Sequence, residues 1–300
     1  RKPEFASMNL IIGPLFSNNF TIVSKWASQH KVSVVNPFTN KCDLISENVY
    51  AFKMIPSPQD EARQLISFVD NNYPAANVII VHNAKEAEFA DTLKALFDRN
   101  EKKNESGLRI FNVDYSIEWF AGVNKCLSDN KVNIVITLMD GEAFVSTFLR
   151  SLNEKAYSDK IVLFAKKSWE DYNNLEIEYL LNLNTHVYSN SFINYSDELT
   201  QNMVLNFRNK YNTDPDYYAF QGFDIMIYFA GALKTYGKNF QNCLQNYEAE
   251  LLTNNFHFTK SKHWGFENTT GIIYRYENYK AINALKNPLK DIQLVVKKKP

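Results

Sequence analysis

Ser17 with Asn18, and Thr39 with Asn40, are the side chains of this sequence best placed to handle a polar ligand. Each pair follows a short apolar run, Leu10-Ile11-Ile12 or Val32-Ser33-Val34-Val35, that breaks at Gly13-Pro14 or Asn36-Pro37. Between the runs, residues 18–30 carry Phe20, Val23, Trp26 and Ala27 at helical spacing. A strand, a helix and a second strand of this kind form a right-handed unit with parallel strands. The loops at the carboxyl ends of such strands are where open α/β sheets take ligands. The chemistry on offer is hydrogen bonding by small hydroxyls and amides. Capping of the helix by Ser17 or Asn18 is the alternative use of the same groups.

The same rule marks further positions. Asn83 and Glu86 follow the apolar run 77–81, Asp140 and Glu142 follow 132–138, and Lys166, Lys167 and Trp169 follow 160–165. Ser189 and Asn190 end a short run at 186–188. Lys166 with Trp169 could offer a cation and a stacking ring. Asn83 could equally cap a helix, and acids at 140 and 142 are stabilised by a helix dipole with no ligand at all. Tyr217, Tyr218 and Gln221 open a later apolar helix, where packing is favoured over ligand contact.

Catalysis has no comparable pattern. His30, His82, His186, His257 and His263 form no His-Glu-x-x-His pair and have no cysteine at metal-ligand spacing. A Gly-x-Ser-x-Gly elbow is absent, and with nine glycines no phosphate-cradling loop is legible. Neither a metal, a cofactor nor a catalytic residue is therefore expected. Lysine plus arginine and aspartate plus glutamate number 33 each, and this neutrality recommends neither nucleic acid nor an anionic membrane as a partner. Cys42, Cys126 and Cys243 are far apart and are expected as free thiols. No run of about 18 apolar residues is available to span a membrane. No signal peptide is visible, and the start reads as the inside of a fold rather than its beginning.

The elements that must position these residues alternate. Extended segments are expected at 49–55, 77–81, 108–113, 132–138 and 160–165, with helices at 59–71 (Ser57 as its cap), 86–100, 117–128 and 142–152, and a surface loop at 100–107. Strands alternating with helices of this length imply parallel sheet. Later come helices at 196–211, 217–236 (closed by Gly237) and 241–252, then a turn region from Trp264 and a strand at 272–276. The pattern restarts at Asn77 after Tyr73-Pro74, which points to a second lobe. The expected division is 1–75 and 195–245 in a first lobe, 76–194 and 246–285 in a second, and 286–300 as a basic tail.

The order of motifs resembles the type I periplasmic binding protein family, the Leu/Ile/Val-binding branch of ABC-transporter solute receptors. The resemblance rests on Ile11-Ile12-Gly13-Pro14-Leu15-Phe16-Ser17, Val34-Val35-Asn36-Pro37-Phe38-Thr39, Tyr217-Tyr218-Ala219-Phe220-Gln221-Gly222-Phe223-Asp224 and Gly271-Ile272-Ile273-Tyr274-Arg275-Tyr276. It implies an α/β fold of two Rossmann-like lobes, parallel sheets flanked by helices, joined by several crossings. It also implies a small polar ligand such as an amino acid, held in part by hydroxyls at Ser17 and Thr39 and by nearby N–H groups. A membrane transporter or receptor would be the partner, and the periplasm or cell envelope the location. Family members open with two further strand–helix units, so the sequence is similar to a front-truncated member. Phe38 and Lys41 stand where amino-acid binders keep a small residue and a hydroxyl. That departure leaves open a structural or protein-interaction module with a degenerate cleft.

Overall fold

The computed structural model describes residues 7–155, 160–261 and 265–286. The chain begins with β1 (Leu10–Ile12), α1 (Ser17–His30), β2 (Ser33–Asn36), β3 (Ala51–Lys53) and α2 (Pro58–Asn72). It continues through β4 (Asn77–His82), α3 (Ala87–Asn104), β5 (Arg109–Asp114), α4 (Tyr115–Cys126), β6 (Val132–Thr137), α5 (Glu142–Lys155) and β7 (Lys160–Ala165). Then come α6 (Ile177–Asn182), β8 (His186–Ser189), α7 (Glu198–Tyr211) and α8 (Tyr217–Tyr236). Four strands close it: β9 (Phe258–Lys260), β10 (Phe266–Asn268), β11 (Ile272–Glu277) and β12 (Lys280–Asn283).

Two compact units result. The first runs to Glu61 and resumes from Asn190 to Gly271; the second takes Ala62 to Ser189 and the chain from Ile272 on. The first unit's sheet has the order β1-β2-β3-β10-β9, parallel except for β9. The second unit's sheet has the order β12-β11-β8-β7-β6-β4-β5, parallel except for β11, which runs antiparallel to both β8 and β12. Strands such as β4, buried at every position, read as continuous apolar runs because helices cover both faces of a parallel sheet.

The division differs from the expected one in three places, the smallest being residues 190–194, which fall in the first unit. The apolar stripe of α2, Ala62, Leu65, Ile66 and Val69, packs with Val78 and Ile80 in the core of the second unit. Residues 246–271 belong to the first unit rather than the second, because β10 pairs with β3, Phe266 opposite Phe52 and Glu267 opposite Lys53. There Phe52 is surrounded by Phe229, Phe240, Phe258 and Phe266, with ring centroids 5.2, 5.7, 5.6 and 5.0 Å away.

Local chemistry accounts for the element ends. The Ser57 hydroxyl accepts from the Asp60 N–H at 3.2 Å, in keeping with its expected role as a cap. The cap of α7 is Asp197, its carboxylate accepting from the Thr200 N–H at 3.2 Å. Asp216 caps α8, and Gly237 ends it at φ 71°, where a side chain would be strained. α3 runs on to Asn104, through the expected loop. Glu101 in its last turn gathers the Ser106 hydroxyl and the Gly107 and Leu108 N–H groups. The helix expected at 241–252 is absent. Short 3-10 turns at Gly237–Asn242 and Leu244–Asn246 give way to Tyr247, Ala249 and Leu251, which pack against the aromatic core at a spacing of two. Cys126 and Cys243 are free thiols. The expected tail beyond Lys286, and Trp264 in the expected turn, lie outside the described residues.

Candidate functional site

In the first unit, two carboxyl-end loops carry the sequence-derived candidates. α1 begins at Ser17 without any side-chain cap, and its first turn holds no acidic residue. The Ser17 hydroxyl, half-buried, and the exposed Asn18 amide make no hydrogen bond among the described residues. Ser17 is therefore not the cap that the alternative assigned it. The first-turn N–H groups of a helix have no intrahelical partner, and the helix dipole favours negative charge there. A hydroxyl beside such N–H groups is an acceptor's natural seat.

Thr39 is placed differently. It is 8% exposed, and its hydroxyl accepts from the Lys41 N–H at 3.1 Å, so it shapes the loop. The loop's organiser is Asn36, fully buried at the end of β2. Its Oδ1 accepts from the N–H groups of Phe38 and Thr39 at 3.0 and 2.9 Å. Asn-Pro after a strand is the sequence signal for such a turn. The Gln221 amide on α8 donates to the Pro37 carbonyl at 3.2 Å, and Tyr218 meets the Phe38 ring edge-on at 5.2 Å. Asn40 is exposed, with no hydrogen bond among the described residues. Tyr217 accepts from the Asn190 amide at 3.2 Å, and burial pushes its phenol pKa up.

The second unit's candidates occupy the carboxyl ends of β4, β6, β7 and β8. Asn83 accepts from the Lys85 N–H at 2.8 Å, forming a turn; the residue preceding α3 is Glu86. Because β6 and β7 are neighbours, the Asp140 and Lys166 loops lie side by side. Asp140 accepts from Lys166 Nζ at 3.2 Å, from the Ser168 hydroxyl at 2.8 Å and from the Tyr172 hydroxyl. Burial pushes the Asp140 carboxyl up, but these three donors outweigh it and hold its pKa at about 2. Asp140 and Lys166 thus neutralise each other. Glu142 holds the Asn174 N–H and amide at 3.1 and 2.9 Å.

In the short turn after β7, Glu170 accepts from the hydroxyls of Tyr274 and Tyr276 and from Lys167 Nζ at 3.0 Å. Burial raises its pKa, and the three donors more than reverse that. Sequence inspection missed this group, because Tyr274 and Tyr276 reach it only through the pairing of β11 with β8. Trp169 is 3% exposed and lines a cavity with Lys166. Ser189 is 4% exposed, within β8 opposite Ile272, and is not presented to solvent.

No described helix is long and apolar enough to cross a membrane. No family model matches the sequence, and no curated protein matches it. Solved structures do. The ABC transporter substrate-binding protein from Desulfitobacterium hafniense, in complex with Leu, is 17% identical, with 93% of this chain and 81% of that one covered and a TM-score of 0.56. A branched-chain amino acid transporter of the ABC type from Rhodopseudomonas palustris is 15% identical over 94% and 81%, with a TM-score of 0.59. A branched-chain amino acid ABC transporter periplasmic ligand-binding protein from Burkholderia xenovorans is 11% identical over 91% and 75%, with a TM-score of 0.60. The two sheets, their strand orders and these likenesses agree: the chain has the fold of the type I periplasmic binding proteins.

Proposed function

We propose that the chain is an extracytoplasmic solute receptor that closes on a small polar solute, such as an amino acid, and presents it to a membrane transporter or sensor without altering it. The observation that carries this reading is the uncapped start of α1, where first-turn N–H groups and the free Ser17 hydroxyl can receive a carboxylate. Within the first unit, Asn18 and Asn40 are the accompanying contacts, since each keeps a polar group without a partner among the described residues. Thr39 in the first unit, and Asp140 with Lys166 in the second, fix their own loops, and Ser189 is enclosed in β8. Closure of this kind needs a solute whose affinity differs between open and closed forms. The named functions of the structurally similar proteins support the transport setting.

A second reading, an interaction module with no solute, is favoured by one observation: the charged groups of the second unit's rim satisfy one another. A thermal-shift screen with amino acids, short peptides and sugars separates the two. A solute that binds the folded chain raises the midpoint by mass action, about 2.7 kcal/mol of stabilisation at a hundredfold excess over Kd. A screen without any shift favours the module.

A further inference from the structure

The crossover between β7 and β8 is built differently from its neighbours. α3 and α5 span 18 and 14 residues, whereas this connection has only a five-residue 3-10 turn, Lys167–Asp171, and the six-residue α6. Two short pieces cover a sheet less completely than one full helix. A cavity of about 270 Å³ remains beneath them. Ala165 pairs with Val187, and Val187 with Tyr274, so these side chains and Tyr276 two places on share one sheet face. Ala165, Val187 and Tyr276 line the cavity from that face, and Trp169, Ile177 and Leu180 line it from the crossover.

The walls are mostly apolar, and Trp169, 3% exposed, contributes its ring to them while its indole nitrogen is buried out of reach of the space. Glu170 beside it has a carboxylate with room for one more donor: Oε1 takes both tyrosine hydroxyls, and Oε2 takes Lys167 alone. Lys166 and Lys167 are matched by Asp140 and Glu170, which favours an uncharged occupant. A cavity of about 150 Å³ already suffices for benzene, so a substituted single ring fits this one.

We propose that this cavity binds an uncharged, single-ring apolar molecule bearing one hydroxyl, which donates to Glu170 while its ring packs against Trp169. The cavity is formed by the second unit alone, so the proposal stands independently of solute transport. The test is a titration of the full chain with phenol, and with toluene in parallel, followed through the indole N–H resonance of Trp169, assigned by its loss in Trp169→Phe. Phenol is expected to bind saturably and shift that resonance. Glu170→Gln is expected to weaken phenol about tenfold, as for a hydrogen bond to a charged group, and toluene less than twofold. Ala165→Val is expected to weaken both ligands, and Ala165→Leu to abolish both by filling the space. An unmoved Trp169 resonance at millimolar phenol, binding unaffected by both Ala165 variants, or equal weakening of phenol and toluene by Glu170→Gln would each overturn the proposal.

Discussion

His186 gives the fold a pH dependence whose sign and size can be worked out. The ring sits in β8, 1% exposed, stacked on Phe164 at 5.2 Å and close to Phe68 at 5.5 Å. Its Nδ1–H donates to the Asn184 carbonyl at 2.8 Å, and Nε2 has no partner among the described residues. Burial lowers its pKa from 6.5 to about 4; the Asn184 hydrogen bond opposes this shift, and the nearby Arg275 charge adds to it. Between those values the unfolded chain binds a proton that the folded chain refuses, so stability falls as pH falls. The contribution is complete above the unfolded pKa and is lost progressively down to about pH 4. The loss is about 2 kcal/mol at pH 5 and roughly 3 kcal/mol at pH 4. Urea unfolding of the wild type and His186→Phe at pH 7.5 and 5.0, with amide exchange read in β8 and β11, measures it. The wild type should lose about 2 kcal/mol more than the variant over that interval. Equal losses in both would refute the assignment of a neutral buried imidazole.

Four further outcomes follow from the packing and the rim. Asp224, fully buried, accepts from the N–H groups of Leu252 and Thr253 at 2.8 and 2.9 Å and from the Thr253 hydroxyl at 2.6 Å. Asp224→Ala strands those donors and should cost about 3 kcal/mol or more by denaturant unfolding, with Asp224→Asn intermediate. Phe52→Ala, in the middle of four rings, should cost about 3–5 kcal/mol by the same measurement. Ser17→Ala should leave the melting temperature unchanged while weakening solute binding. Thr39→Val should lower stability by roughly 1 kcal/mol, since its hydroxyl fixes the loop.

Much of the architecture is legible in the residues, and the gaps have physical causes. α8 is bounded by an Asp cap and a glycine with positive φ, so its span 217–236 follows from local chemistry. The runs at β4, β6 and β7 are legible because burial on both faces demands continuous apolar sequence. The three-residue strands β9 and β10 are too short to carry a period, and the pairing of β10 with β3 depends on contacts more than 200 positions apart in the chain, such as the Asn268 amide on the Met54 carbonyl. In the candidate site, the positions at strand ends are readable but their occupancy is not. Nothing in the spacing of Asp140 and Lys166 says that β6 and β7 are neighbours, and so nothing says that the two charges meet. Likewise Thr39 looks available until the Asn36 turn folds it inward.

Calorimetric titration of the full chain with individual L-amino acids, the solute recovered and weighed by mass spectrometry afterwards, tests the central claim most directly. The account predicts saturable one-to-one binding of at least one of them, weakened by Ser17→Ala, with the solute recovered intact. Flat titrations across the whole set, or a recovered solute of altered mass, would contradict it.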